Sequence, residues 1–264
     1  MQPPVILPVP LLRTEDLPRT STHICYASLV VSSPEYRRYY REKSSKGDVV
    51  ILDHDPKTPR SPISSAYFIA AMDFIRPRAI VLPNRDLDAR STIRATQDLL
   101  KYLPSKEERG KVPGRSPSRY IMVLQGVSLT ELQNQYQYFG PLVDAIGLPA
   151  SLEKVGNRTK IAQELGITGP IVFIEVFKDL LAEVPRLPNV DLAWSTLPIR
   201  LAYEGRRLGS IHPSPGPLTF RESYIPPLAE SNIRQYIQLY TLPGGPKARV
   251  EEELTDVRGP VPMH

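Results

Sequence analysis

The sequence predicts an α/β fold of the (β/α)8 TIM-barrel type. Short apolar runs alternate with stretches of helical periodicity, which is typical of parallel strands joined by crossover helices. About seven or eight such units can be traced, and a closed barrel of this type needs eight. The chain has 264 residues, and such a barrel commonly takes about 250. We divide it into an N-terminal arm at 1–22, a barrel at 23–242 and a C-terminal tail at 243–264.

The strands are predicted where apolar residues run together between polar or turn-forming residues. The run at 49–52, which consists of Val, Val, Ile and Leu, shows the pattern most clearly. The predicted strands are 24–31, 49–52, 79–82, 120–124, 142–146, 171–176 and 190–193.

The helices are predicted where apolar residues recur with helical spacing. Pro34 opens the first of them, and 104–118 is a charged linker between a helix and a strand. Many of the 29 prolines lie in the predicted loops, because proline lacks an amide donor and fixes φ. The other predicted helices are 64–74, 91–103, 129–139, 157–165, 177–184, 199–207 and 231–240.

The composition limits the possible classes of protein. Lys and Arg number 33 against 28 Asp and Glu, so the formal charge is +5. This excess suits a polyanionic partner, although a basic solvated surface explains it equally well. Cys25 is the only cysteine, which excludes an intrachain disulfide and a cysteine zinc site. No apolar run approaches the roughly 18 residues of a membrane span, so we expect a soluble cytoplasmic protein.

Two predicted strands end in side chains that can take part in chemistry. The strand at 49–52 is followed by Asp53, and the strand at 120–124 by Gln125 and Gly126. Barrel enzymes keep their chemistry at the carboxyl ends of their strands. Asp53 can serve as acid, base or nucleophile, or it can cap the following turn. Gln125 can bind the edge of a base, and the glycine either allows a flat ligand to approach or only forms the turn.

Taken in chain order, the strand ends form a recognisable series. Its segments are Val49–Asp53, Ala79–Asn84 with Ser91–Thr96, Leu124–Gly126 with Glu131, Asp144–Pro149, Val190–Pro198 with Arg200–Ala202 and Gly205, and a helix that begins at Asn232. This series resembles the tRNA-guanine transglycosylase superfamily. It is most similar to the branch of phages and bacterial genomic islands that inserts 7-deazaguanines into DNA. The resemblance spans about residues 24–240.

The resemblance implies an enzyme that exchanges a guanine base in a nucleic acid. In the family, one aspartate attacks C1′ and displaces guanine, and a second aspartate manages protons. The deazaguanine then displaces the enzyme, as in the two-step scheme of retaining glycosidases. The implied partners are DNA rather than tRNA and the free 7-deazaguanine base, in a host cytoplasm if the chain is phage-encoded. No cofactor, metal or membrane is implied, and a homodimer or a complex with a paralogue both stay open.

The chain departs from the family pattern at three points. Trp194 occupies the position of the nucleophilic aspartate, and Asp191 lies three residues earlier. Side chains of a strand alternate between its two faces, so residues three apart point to opposite faces unless a bulge intervenes. Asn84 replaces the aspartate that binds the base. The zinc ligands of the tRNA enzymes are absent, so the barrel is expected without the zinc-binding subdomain.

The resemblance and the residue chemistry together define three candidate groups. Trp194 can stack on a base or fill the core, and Glu175 near the end of the strand at 171–176 can face the same mouth. The catalytic candidates are Asp53, Glu175 and Asp191. The base-binding candidates are Asn84, Gln125, Gly126, Gly147 and Trp194, and the nucleic-acid-binding candidates are Arg85, Arg90, Arg115, Arg119 and Arg200.

Three functions remain open from the sequence. The first is a pentosyltransferase that inserts a 7-deazaguanine into DNA. The second is a non-catalytic or divergent relative that binds a base or nucleic acid beside an active partner, because Trp194 replaces the nucleophile. The third is a glycosidase or nucleoside hydrolase that uses a carboxylate and water.

Overall fold

The computed structural model describes residues 22–54, 64–109, 111, 119–174, 190–193 (backbone only) and 231–232. Seven strands in this part of the chain form one sheet in the order β1 to β7, and every neighbouring pair is parallel. The strands are β1 Thr22–Tyr26, β2 Val49–Asp53, β3 Ala79–Val81, β4 Arg119–Val123, β5 Ala145–Pro149, β6 Ile171–Ile174 and β7 Val190–Ala193. Sequential parallel order places all the carboxyl ends along one edge, here called the carboxyl rim, and all the amino ends along the other, the amino rim.

Helices connect the strands. They are α1 Ala27–Ser32, α2 Pro34–Ser45, α3 Ser65–Ile75, α4 Ala89–Leu100, α5 Leu129–Phe139 and α6 Arg158–Glu164. Five of them begin at a side chain that accepts a hydrogen bond from the third residue on, as is typical of N-caps. The capping residues are Ser33, Asp88, Ser128 and Asn157, with Ser64 doing the same for α3.

Side chains of the strands alternate between two apolar clusters. The outer cluster packs against the helices and includes Leu52, Met122 and Phe173. The inner cluster contains almost only strand residues from β1 to β6, namely Ile24, Tyr26, Ile51, Ala79, Val81, Ile121, Val123, Val172 and Ile174. The sheet is curled around this inner face. The interior is therefore filled, so a ligand has to bind above it, at a rim.

The strand and helix predictions are confirmed at most positions, with two clear differences. The strand predicted at 24–31 ends at Tyr26, and the short helix α1 follows it, with Ala27 and Val30 buried. A short apolar run does not by itself distinguish a strand from a buried helix. The strand predicted at 142–146 lies at 145–149, because Gly140–Leu142 forms a 3₁₀ turn that contains Pro141.

The amino rim is held together by a partly buried charged cluster. Asp144, just before β5, accepts hydrogen bonds from Arg109 Nη2 at 2.6 Å and from the Tyr120 backbone N–H at 2.8 Å. The Arg109 guanidinium also lies 3.8 Å from the centre of the Tyr120 ring. The 104–118 linker thus contributes one arginine to the structure of the amino rim.

Several predictions about the ends of the chain lie outside the described residues. The structure does not describe residues 1–21, 175–189, 194–230 and 233–264. The predicted arm, tail and last helices lie in these ranges. Among the described helices, none combines the length and the hydrophobicity that a bilayer crossing demands.

Candidate functional site

The carboxyl rim brings a carboxylate and an imidazole together at the end of β2. Asp53 is the last residue of this strand, and it pairs in register with Tyr26 of β1. It lies two residues beyond Ile51, so its side chain is on the inner face. Asp53 Oδ1 lies 3.0 Å from His54 Nδ1.

Asp53 is buried, with 8% of its surface exposed. Its Oδ1 accepts no hydrogen bond from any described residue, because the contact with His54 Nδ1 is not aligned as one. Buried carboxylates normally have hydrogen-bond partners, and each exception requires an explanation such as a catalytic role.

A buried thiol lies beneath this pair, on the outer face of β1. Cys25 Sγ donates weakly to the Ile51 carbonyl at 3.6 Å. Burial raises the pKa of the Cys25 thiol well above its usual value, and the nearby Asp53 carboxylate raises it further. Cys25 is therefore a neutral packing residue.

Asn84 and Gln125 bind each other at the ends of β3 and β4. Gln125 Nε2 donates to Asn84 Oδ1 at 3.0 Å, and Gln125 Oε1 accepts from the Leu87 backbone N–H at 2.9 Å. Asn84 Nδ2 donates to the Leu82 carbonyl at 3.3 Å. Both amides are thus engaged with the protein itself, and they join two neighbouring loops.

The Gln125 backbone is also fixed, by a second buried amide. Gln135 of α5 accepts from the Gln125 N–H at 3.2 Å and donates to its carbonyl. Next to this contact, Glu131 Oε2 accepts from the Val127 N–H at 2.8 Å. Gln135 therefore holds the end of β4 against its own helix.

The two predicted base-binding glycines have local structural roles. A Cβ on Gly126 would lie 2.9 Å from Glu131 Oε2, and a Cβ on Gly147 would lie 2.8 Å from Ile174 Cδ1 and 3.0 Å from Val123 Cγ2. Gly147 belongs to the interior layer, since it pairs with Val123 and Val172. Only glycine fits at these two positions without moving a neighbouring side chain or backbone atom.

The arginine candidates lie on different rims. Arg85 and Arg90 are exposed near the carboxyl rim, on the β3–α4 loop and the first turn of α4. Arg119 is exposed at the start of β4, on the amino rim. Arg115 and Arg200 lie outside the described residues, as do Glu175 and Trp194.

Asp191 lies in β7 at an irregularity of the sheet. Ile171 pairs with Val190 while Val172 pairs with Leu192, so Asp191 is an extra residue on β7. This extra residue is the kind of bulge that the sequence analysis left as a possibility near Asp191. The structure describes only the backbone there.

Two contributors to the rim were not singled out from the sequence. His54 could have been found from its place directly after Asp53. Gln135 carries no local signal, because its partner lies ten residues away on the preceding strand end. Within the described part of the chain, no three His, Cys, Asp or Glu side chains form a group that could hold a metal ion.

Comparisons with known proteins give structural matches only. No protein-family model and no curated protein matches the chain. A racemase from Streptomyces coelicolor A3(2) matches with a TM-score of 0.45 and 11% identity, over 73% of this chain and 55% of that one. A mandelate racemase/muconate lactonizing enzyme-like protein from Rubrobacter xylanophilus matches with a TM-score of 0.46 and 13% identity, over 78% and 57%. The chain therefore spans little more than half of these two structures.

A third match covers nearly the whole of both chains. Orotidine 5'-phosphate decarboxylase from Lactobacillus acidophilus matches with a TM-score of 0.46 and 10% identity, over 89% of this chain and 99% of that one. Identities and TM-scores this low assign no activity to the chain.

The resemblance to the tRNA-guanine transglycosylase superfamily is wrong. The structural matches include racemase, epimerase, dehydratase and decarboxylase proteins, which are of other classes. The predicted DNA 7-deazaguanine insertion, the pentosyltransferase class and the phage DNA-modification role fall with it, and the non-catalytic base-binding alternative has no support either. The physical reason lies in the motifs. Gln125, Gly126 and Gly147 satisfy local hydrogen bonding and packing, and such needs recur at the strand ends of unrelated barrels.

Proposed function

We propose that this chain is an enzyme that transfers a proton to or from a small molecule at the carboxyl rim, with Asp53 as the catalytic group and His54 as its partner. The observation that carries the proposal is the buried Asp53 Oδ1, which accepts no hydrogen bond from the described residues and lies 3.0 Å from His54 Nδ1.

The burial of Asp53 supports a catalytic role. An ionised carboxylate away from water is costly unless hydrogen bonds or a counter-charge compensate. A structural carboxylate would be expected to have the donors that Asp144 has on the opposite rim. An oxygen without such donors stays able to accept a proton or to bind a substrate hydroxyl or amine.

The adjacent imidazole of His54 supports a role in proton transfer. Histidine changes its charge near neutral pH, so it can pass a proton to a carboxylate or stabilise its ionised form. The apolar side chains of Val81, Val123 and Ile174 occupy the inner face nearby. A site bordered by apolar groups strengthens the interaction between charges.

We also propose that the fold is a complete (β/α)8 barrel. The uninterrupted parallel order from β1 to β7 supports it, because an eighth strand between β7 and β1 would close the sheet. A crystal structure of the full chain tests this directly, and an open sheet edge at β1 would refute it.

Hydrogen exchange from solvent tests the proton transfer. The protein is incubated in D2O with a small-molecule extract of cells, and mass spectrometry follows deuterium gain or chemical conversion in each component. We expect at least one component to change with the wild-type protein, and at least a hundredfold slower with Asp53→Asn, since general acid–base groups contribute about 10²–10⁴ to the rate.

Asp98→Asn is the matched control. Asp98 is an exposed carboxylate of α4 that pairs with Lys101 at 2.9 Å. Asp98→Asn therefore changes the net charge by the same amount as Asp53→Asn, at a site away from the carboxyl rim. This variant is expected to keep the wild-type rate. A wild-type rate in Asp53→Asn would remove Asp53 from the mechanism, and no change in any component with wild-type protein would count against an enzyme.

A further inference from the structure

We propose that Tyr26 is a further catalytic residue of the carboxyl rim. Its hydroxyl donates a hydrogen bond to the substrate oxygen that becomes negatively charged when Asp53 removes a proton. This inference deepens the proposed function and rests on it. It also assigns a substrate class, a small molecule in which the acidic C–H bond lies next to a carbonyl or carboxyl group.

Tyr26 and Asp53 are direct neighbours at the carboxyl rim. They are the last residues of β1 and β2, and they pair in register. Adjacent strands lie about 4.8 Å apart, so the two side chains start from backbone positions at about that separation. Two residues earlier, Ile24 pairs with Ile51, and both of these side chains belong to the inner cluster. Because side chains two positions apart share a face, Tyr26 and Asp53 lie on the same inner face.

The ring of Tyr26 belongs to an inner cluster that is otherwise apolar. Tyr26 is 9% exposed. Of the nine buried residues that the described part of the chain contributes to this cluster, only Tyr26 has a polar side-chain atom. The other side chains of the cluster therefore offer its hydroxyl no hydrogen-bond partner. A phenylalanine would fill the same volume, so the hydroxyl is the part of Tyr26 that the apolar interior does not need.

The backbone of Tyr26 is held by α2. Its N–H donates to the Tyr36 hydroxyl at 3.2 Å. Tyr36 is itself buried and packs edge-on against Tyr40, with ring centres 4.6 Å apart. Burial raises the pKa of Tyr36 well above its usual value, so this phenol stays neutral at physiological pH. Tyr26 thus extends from a fixed backbone, and preorganised donors of this kind need little rearrangement during a reaction.

The two groups divide the chemistry of one proton transfer. Asp53 takes the proton from the C–H bond, and the electron pair of that bond moves toward the neighbouring carbonyl, so its oxygen becomes negative. The Tyr26 hydroxyl keeps its own proton and donates a hydrogen bond to that oxygen. Donors aimed at developing charge are a large source of catalysis, and tyrosine is one of the side chains that serve as such donors. The proton on Asp53 exchanges with solvent and returns to the carbon, which restores the C–H bond.

Deuterium exchange with the full-length chain tests this role. The probe is the small-molecule extract in D2O, and mass spectrometry follows the component that gains deuterium. Tyr26→Phe should slow this gain about a hundredfold, since the loss of one such donor costs about 10²–10³ in rate. It should leave the midpoint of urea unfolding unchanged. Tyr138→Phe is the matched control, because it removes a hydroxyl from a 56% exposed ring of α5, and it should keep the wild-type rate.

Two results of this assay would overturn the inference alone. One is a wild-type rate in Tyr26→Phe while Asp53→Asn is slow, which would remove Tyr26 from the mechanism and leave the proposed function intact. The other is a slower rate together with a lower unfolding midpoint, which would show a structural role. If the wild-type protein exchanges no component, the proposed function itself fails, and the assignment of Tyr26 falls with it.

A measurement without substrate tests whether the two side chains lie together. Tyrosine labelled with 13C at Cζ is incorporated, and the NMR signal of Tyr26 is assigned by its loss in Tyr26→Phe. Asp53→Asn should shift this signal and leave the Tyr138 signal in place, because electrostatic effects decrease with distance. An unmoved Tyr26 signal would place the two side chains apart and would overturn the inference even if Asp53 proves to be catalytic.

Discussion

Two aspartates lie on opposite rims of the same sheet and have opposite surroundings. Asp144, on the amino rim, accepts hydrogen bonds from Arg109 and from the Tyr120 backbone. Asp53, on the carboxyl rim, is the more buried of the two, yet its Oδ1 accepts none from the described residues. Asp144 Oδ2 thus accepts two hydrogen bonds from the protein, while Asp53 Oδ1 contacts only His54 Nδ1 and accepts no aligned hydrogen bond from the described residues.

The difference follows the division of labour known for barrel folds, in which the amino rim maintains stability and the carboxyl rim carries chemistry. It teaches that burial alone does not identify a functional carboxylate. The number of donors around it is the better guide. Changes on the amino rim should therefore reduce the free energy of unfolding, and the matching change on the carboxyl rim should spare it.

The largest expected effect is on the amino rim. Asp144→Ala leaves the Arg109 guanidinium, 5% exposed, without its carboxylate, and we expect a loss of about 3 kcal/mol in the free energy of unfolding. Urea denaturation measures it. Asp98→Ala, at an exposed pair, should change the free energy by less than about 0.5 kcal/mol. Similar values for the two variants would contradict a structural role for the Arg109–Asp144 pair.

The next effect tests the layer between the rims. In Gly147→Ala, the new Cβ would lie 2.8 Å from Ile174 Cδ1 and 3.3 Å from the Val123 Cα, and the backbone cannot yield as a side chain can. We expect a loss of about 1–3 kcal/mol, typical of overpacking. Thermal or urea unfolding checks it against Gly169→Ala, where no atom lies within 4 Å of the added Cβ. An unchanged unfolding midpoint in Gly147→Ala would show that the inner face has spare room.

Alkaline pH should lower the free energy of unfolding through Tyr39, a partly buried tyrosine of α2. Burial, with the charges of Asp48 and Glu42, raises the pKa of Tyr39 to about 12. The folded state therefore favours the neutral phenol, so this contribution to stability is complete below pH 10 and is lost as the pH rises from about 10 to 12. Urea midpoints across this range, with ionisation followed by absorbance, measure it. Tyr39→Phe should show a shallower decline, and an identical decline would exclude Tyr39 as a source.

The smallest effect on stability is expected at Asp53. Asp53→Asn changes a buried carboxylate whose Oδ1 accepts no hydrogen bond from the described residues, so the free energy of unfolding should stay within about 0.5 kcal/mol or rise. The same urea assay as for Asp144→Ala makes the comparison direct. A loss as large as that of Asp144→Ala would erase the distinction between the rims.

Much of the scaffold could be predicted from local patterns. The apolar run at 49–52 and the mostly apolar segment at 190–193 locate β2 and β7, and Pro34 marks the start of α2. Position within the parallel order then places Asp53, Asn84 and Gln125 at one rim. The errors arose where local rules compete, as in Val30 and Val31, whose β-branched side chains suggest a strand but lie in α1.

Partnership between distant residues could not be predicted. The sequence determined which residues end β2 and β4, because apolar periodicity and turn chemistry are local properties, but it misplaced the ends of β1 and β5. Whether an end group is satisfied depended on the assembled sheet. Asn84 and Gln125 are separated by 41 positions and form a hydrogen bond with each other, whereas Asp53 Oδ1 accepts no hydrogen bond from the described residues. Hydrogen bonding is decided by distances of about 3 Å between atoms, and only packing brings groups from different strands that close.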